Sequence, residues 1–124
     1  MTTPTGARNV RQAEEALAAV ERFNRAFDAH DVPAVMAAMT PDCVFEDTQP
    51  PDGRRHTGAE VRAAWEVFFR ANPTARFIVE DRFATGARVV QQWRYEFAGG
   101  HVRGIDVFRV RDGRVAEKVS YVKG

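Results

Sequence analysis

The chain carries one cysteine, Cys43, in 124 residues, so no disulfide can close within it and a reducing cytoplasm is its expected setting. Long apolar runs are also missing. None approaches the roughly 18 residues of a membrane span, and Met1 to Arg11 mixes Thr, Pro, Gly and Arg without the apolar centre of a signal peptide. Neither a membrane nor an export route is expected. With 18 basic against 17 acidic side chains the net charge is +1, and the arginines are scattered, so nucleic acid is not an expected partner. Glycine-rich phosphate loops, a nucleophile elbow and a dinucleotide fingerprint are absent, which leaves hydride and phosphoryl transfer without support. His30, His56 and His101 fall at no metal-ligand spacing, so neither a metal nor a cofactor is expected.

What is present fits one soluble domain, with 44% hydrophobic and 28% charged residues. Residues 1–10 read as a loose tail and residues 11–124 as the domain. Ala13, Ala16, Leu17, Val20, Phe23 and Phe27 recur at spacings of three and four, which predicts a helix from Arg11 to His30. Asp31 suits the N-cap of a second helix, with Pro33 in its first turn, Val35, Met36 and Met39 inward, and Thr40-Pro41-Asp42 as its stop. Cys43 to Thr48 alternates as a short strand. Thr57-Gly58-Ala59-Glu60 matches a capping box before a third helix that turns Val61, Ala64, Trp65, Phe68 and Phe69 inward and ends before Pro73. From Arg76 the period becomes two. Phe77, Val79, Asp81 and Phe83 alternate, as do Val89, Gln91, Trp93, Tyr95 and Phe97. Thr85-Gly86, Gly99-Gly100 and Asp112-Gly113 mark three turns, giving a four-stranded antiparallel meander and an α+β fold.

Two carboxylates break the alternation. Asp106 shares a strand face with Val102, Phe108 and Val110, where an ionised carboxylate needs a partner, a wet cavity or a raised pKa. Its structural alternatives are an ion pair with Arg94 or Arg103, or hydrogen bonds to Ser120 across the sheet. Asp47 repeats the oddity beside Cys43 and Phe45, with an Asx turn onto Gln49 as its alternative. Environments that separate two carboxyl pKa values divide acid and base roles, with Asp47, near Thr48 and Gln49, the base and Asp106 the acid. His56 stands where an imidazole can share a proton with Asp47, or simply lie exposed on a loop. Cys43, on the apolar side of its strand, reads as packing rather than as a nucleophile.

The runs Phe23-Asn24-Arg25-Ala26-Phe27-Asp28-Ala29-His30-Asp31, Val44-Phe45-Glu46-Asp47, Gly104-Ile105-Asp106-Val107-Phe108-Arg109-Val110 and Asp112-Gly113-Arg114-Val115-Ala116-Glu117-Lys118 resemble the SnoaL-like, ketosteroid-isomerase-like branch of the NTF2-like superfamily. The resemblance implies a conical α+β barrel, its curved, mostly antiparallel sheet wrapped around the long first helix, with a deep pocket and a homodimeric state. It places Asp47 at the isomerases' catalytic base and Asp106 at their oxyanion-hole acid, a protonated carboxyl that is an established example of the principle. It departs from those enzymes at Phe23, where they carry a Tyr, which points away from steroid isomerisation. Tyr121 is the substitute hydroxyl. Phe23, Phe27, Trp65, Phe69 and Trp93 line the implied pocket, with His56 at its mouth. The expected activity is cofactor-free proton transfer of isomerase, polyketide-cyclase or dehydratase type on an apolar, polycyclic-sized molecule. A non-catalytic ligand-binding or dimerisation module is the alternative.

Overall fold

The apolar stripe at Ala16, Val20, Phe23 and Phe27 is the buried face of a long helix, α1, spanning Thr5–Asp28. The computed structural model describes residues 5–124. Helix α1 starts six residues before the expected Arg11, so residues 5–10 belong to it and not to a tail, while residues 1–4 lie outside the described residues. Apolar spacing could not reveal this extension. Gly6, Arg8, Asn9 and Val10 are exposed, and solvated turns propagate from a nucleated helix without an inward face.

At its other end α1 is tied to the sheet through Asp28, which accepts from the Phe77 amide at 2.9 Å and pairs with Arg76 at 3.2 Å. Asp31 caps α2, Val32–Ala37, by accepting from the Ala34 amide. Strand β1, Met39–Glu46, begins earlier than predicted, so Met39, Thr40 and Pro41 belong to a strand rather than to the end of α2. Pro41 fits there because the register of β1 against its parallel neighbour breaks between Met39 and Val44, freeing the position from the ladder. A three-residue strand, β2, Arg55–Thr57, was not predicted; it sets His56 opposite Phe45.

Helix α3, Ala59–Ala71, buries Val61, Trp65 and Phe69, whereas Phe68 is more exposed than its spacing suggests. Its capping box is half made. Glu60 accepts from both the amide and the hydroxyl of Thr57, but Gly58 occupies the N-cap and no side chain returns the bond. The remaining strands are β3, Arg76–Thr85, β4, Arg88–Phe97, β5, Gly100–Arg111, and β6, Arg114–Val122. They pair as the expected antiparallel meander, with Asp112 and Gly113 both at positive φ in the last hairpin. The full sheet runs β2-β1-β6-β5-β4-β3, and only β1 and β6 are parallel.

Curvature enters through breaks in register, which bend strands and increase their twist. One lies in β3 between Val79 and Asp81, leaving Glu80 as the extra residue. Beyond it the alternation inverts. Arg82 faces Gln91 while Phe83 pairs with Val90 on the outer surface and is 59% exposed, against the inward position predicted for it. The concave face holds α1, which packs on β3, β4, β5 and β6. This is the α+β architecture expected, with a curved, mostly antiparallel sheet and a long N-terminal helix.

Gly104 opens room on that face. It lies opposite Trp93, and a Cβ there would sit inside the indole and against the Tyr121 carbonyl. Gly104→Ala is therefore expected to lower stability by about 2 kcal/mol through displacement of Trp93. Urea denaturation followed by tryptophan fluorescence measures the loss, and an unchanged midpoint would show that the indole relocates freely.

Candidate functional site

Between α3 and the concave sheet face lies a cavity of about 610 Å³, lined mainly by apolar side chains that include Phe27, Trp65, Phe68, Phe77, Trp93 and Val102. Its polar groups fall into distinct clusters. One is built on β1, β2 and the loop joining them: Asp47, Thr48, Arg54 and His56. Asp47 Oδ1 accepts from the amides of Gln49 at 3.0 Å and Arg54 at 2.6 Å, and its Oδ2 lies 3.0 Å from His56 Nε2. Burial alone would raise the Asp47 pKa, but the Arg54 amide, His56 and the Gln49 amide together hold it below the usual carboxylate range. The His56 ring stacks on Phe45 with its plane within 20°, and Nδ1 makes no hydrogen bond among the described residues. Asp47 thus orients an imidazole as much as it faces the cavity.

The second cluster is a row of polar side chains crossing the apolar face. Gln91, Asp106 and Ser120 lie directly opposite one another on β4, β5 and β6. Asn24 on α1 and Gln91 exchange two hydrogen bonds at 2.8 and 3.1 Å, and Gln91 donates onward to Asp106 Oδ2 at 3.0 Å. Ser120 donates to Asp106 Oδ1 at 2.7 Å, and Lys118 donates to Ser120 at 2.7 Å while standing 3.3 Å from the same carboxylate oxygen. Asp106 has no exposed surface and does not line the cavity; Lys118 and Ser120 do.

Lys118 itself is only 5% exposed, with its ammonium 4.8 Å from the ring centre of Phe45, 5.5 Å from Trp65 and 5.6 Å from Phe27. Burial pushes its pKa down, and the charge and hydrogen bonding of Asp106 offset only part of that. A third set of buried polar groups has no hydrogen-bond partner among the described residues: Trp65 Nε1, Trp93 Nε1 and the Tyr95 hydroxyl, all on cavity-lining residues. Burial raises the Tyr95 pKa to about 12, so this phenol stays a donor.

Residues 20–118 match the family profile of the SnoaL-like domain. The chain belongs to the SnoaL-like family. Among solved structures, an NTF2-like protein of unknown function from Mesorhizobium loti is 39% identical, with a TM-score of 0.80 over 91% of this chain and 94% of that one. A protein from Kribbella flavida provisionally named a ketosteroid isomerase shares 18% identity at a TM-score of 0.76, over 90% and 80% of the two chains, a likeness of fold. An epoxide hydrolase from M. tuberculosis, described as LEH-like, is 26% identical at a TM-score of 0.68, over 90% and 84%. No curated protein matches the chain.

Within this SnoaL-like chain the candidate residues are distributed differently from expectation. Asp47, His56, Phe27, Trp65 and Trp93 line the cavity, but Phe23 and Phe69 are core residues: Phe23 is wedged against Trp65 and Phe108, and Phe69 stacks on His30. Tyr121 points to the outer sheet face and is 59% exposed, so it supplies no hydroxyl to the cavity. Adjacent to inward-facing Ser120, it had to face outward. The inward phenol is Tyr95, in phase with Gln91 and Trp93. Asp106 is held by Gln91, Ser120 and Lys118 as an acceptor, not as the hydrogen-bond donor to a ligand that was expected, and Arg94 and Arg103 pair with Glu80 instead of with it.

Lys118 is a site residue that alternation alone does not single out, although the composition carries a signal. The chain's 18 basic side chains include only two lysines, Lys118 and Lys123, and Lys118 falls in phase with Ser120. Removing one member of the buried pair should be worse than removing both. Asp106→Leu is expected to destabilise by about 4 kcal/mol, and the double variant Asp106→Leu, Lys118→Met to recover most of it. A double-mutant cycle in urea checks this; additive losses would mean that the two side chains are not coupled.

Proposed function

We propose that this protein catalyses proton transfer on an apolar small molecule bearing a carbonyl group, using side chains alone, as an isomerase, cyclase or dehydratase does. The reading is carried by the apolar cavity that has the Asp47 and His56 pair among its polar groups and the Lys118 and Ser120 pair at another point of its wall. His56 Nδ1 takes the proton from the carbon next to the carbonyl, and Asp47 stabilises the imidazolium that results. The electron pair moves to the carbonyl oxygen. An ammonium has three hydrogens, and Ser120 and Asp106 engage two of those on Lys118, so the third is left to meet the developing oxyanion. The roles first assigned to the two aspartates are thus exercised through their neighbours.

Thr48, Arg54 and Ser120 on the cavity wall support a ligand with oxygen atoms on its apolar frame. The same groups favour the alternative of a binding module that releases its ligand unchanged. Incubating the protein with 2-tetralone in deuterium oxide separates the two readings. Enzyme-dependent deuterium uptake at the carbon next to the carbonyl, measured by NMR, is expected to fall about 100-fold in His56→Gln and in Asp47→Asn with the fold retained. Uptake that is no faster than in buffer, or equal in His56→Gln, would overturn the catalytic assignment.

A homodimer suits the outer sheet face. There Phe83, Val90, Val107 and Val119 form one cross-strand row and Ile105 and Tyr121 extend it, an unusual apolar surface for water. Light scattering should give the mass of two chains for the wild type and of one for Val107→Arg; a monomeric wild type excludes this face as a self-interface. The buried, unpaired Cys43 suits a reducing cytoplasm.

A further inference from the structure

The use of lysine at position 118 is out of character for this chain. Its surface ion pairs with Asp28, Asp42, Glu66 and Glu80 are made by Arg76, Arg111, Arg62, Arg94 and Arg103. Arginine would also suit a buried carboxylate, since its planar fork donates two hydrogen bonds at once. A guanidinium stays protonated and is no nucleophile, whereas a lysine amine can lose its proton and attack. The chain places that amine against a cavity, beneath aromatic rings, with a carboxylate in contact behind it.

We propose that Lys118 is a carbonyl-trapping amine, and that an aldehyde or ketone bound in the cavity condenses with its Nζ to form an iminium. The proposal rests on the reading that the cavity takes an apolar carbonyl compound, and it adds a covalent step. The ammonium first passes a proton to Asp106, 3.3 Å away. The free amine's lone pair then adds to the carbonyl carbon, the C–O π pair moves to oxygen, and a proton transfers from nitrogen to that oxygen, giving a neutral carbinolamine. Ser120, which lines the cavity, gives its hydroxyl proton to the carbinolamine oxygen and takes one from Asp106, the C–O bond breaks, water leaves and the nitrogen lone pair forms the C=N bond. The balance is one ammonium and one carbonyl compound in, one iminium and one water out, with the charge unchanged.

The site fits both ends of that sequence. A protonated iminium keeps the positive charge where the ammonium had it, beside Asp106 and within reach of the Phe45, Trp65 and Phe27 rings. Ser120 bonds to both groups and holds the carboxylate and the amine in register throughout. Burial adds to this by favouring the uncharged amine, which is the attacking form.

The chain provides its own control, because Lys123 is exposed on the same polypeptide. The full-length protein is incubated with 2-naphthaldehyde and sodium cyanoborohydride at neutral pH, which reduces any iminium to a stable secondary amine, and the adduct is mapped by peptide mass spectrometry. Lys118 is expected to label about tenfold faster than Lys123 or the α-amine, with the preference lost in urea. Labelling confined to Lys123 and the α-amine, or a Lys118 rate no greater than theirs, would overturn the proposal. The deuterium exchange of 2-tetralone is scored separately. Exchange without Lys118 labelling removes the iminium and leaves general-base catalysis by His56, whereas labelling without exchange supports the trapping amine and removes the proton-transfer reading.

Discussion

A carboxylate with no exposed surface has to be surrounded by donors before the chain around it can close, and Asp106 imposes that condition on four elements at once. Its donors come from β4 and β6, and the Gln91 amide that serves it is itself held by Asn24 of α1. The helix therefore cannot slide along the sheet without breaking a buried hydrogen bond, which in an apolar interior is expensive to leave unmade. A stack of aromatic rings would tolerate such slippage far better. The polar row gives the interface between α1 and the sheet its register, and the rings of Phe23, Phe27 and Phe108 fill in around it.

The same row governs what the cavity presents. Lys118 and Ser120 are the members with surface on it, so the anionic centre of the network is felt only through a cation and a hydroxyl. Asp47 follows a similar plan on another part of the wall, where two backbone amides and an imidazole claim its oxygens. Each carboxylate thereby fixes the orientation of a neighbouring group that has capacity left over. The result is an apolar chamber with a few hydrogen-bonding side chains fixed on its wall, Lys118, Ser120 and His56.

The helices, the meander and the SnoaL-like resemblance could all be read from the chain because each rests on short-range periodicity or on local motifs. The oddity of Asp106 was equally plain, and Ser120 was among its anticipated partners. The other partners escaped because pairing across strands depends on register, which alternation within one strand leaves undetermined. Phe83 shows the limit: one extra residue at Glu80 reversed the face of everything after it in β3. His56 reads as a loop residue in the sequence because three residues are too few for a strand pattern, yet β2 is what delivers its ring to Phe45 and Asp47. Phe23 and Phe69 look like pocket residues in the sequence because spacing identifies an inward face and cannot divide that face between packing and cavity wall.

The strand order carries a consequence for folding. Strand β6 lies in the interior of the sheet, between β1 and β5, and it brings Lys118 to lie opposite Phe45. Without β6, β1 and β2 have no sheet to join and the meander of β3, β4 and β5 lacks its inner neighbour. Asp106 then has neither its serine nor its lysine, both of which come from β6. Strand β6 joins the two halves and completes the donors around Asp106 through contacts distant in sequence, the kind of pairing that slows folding.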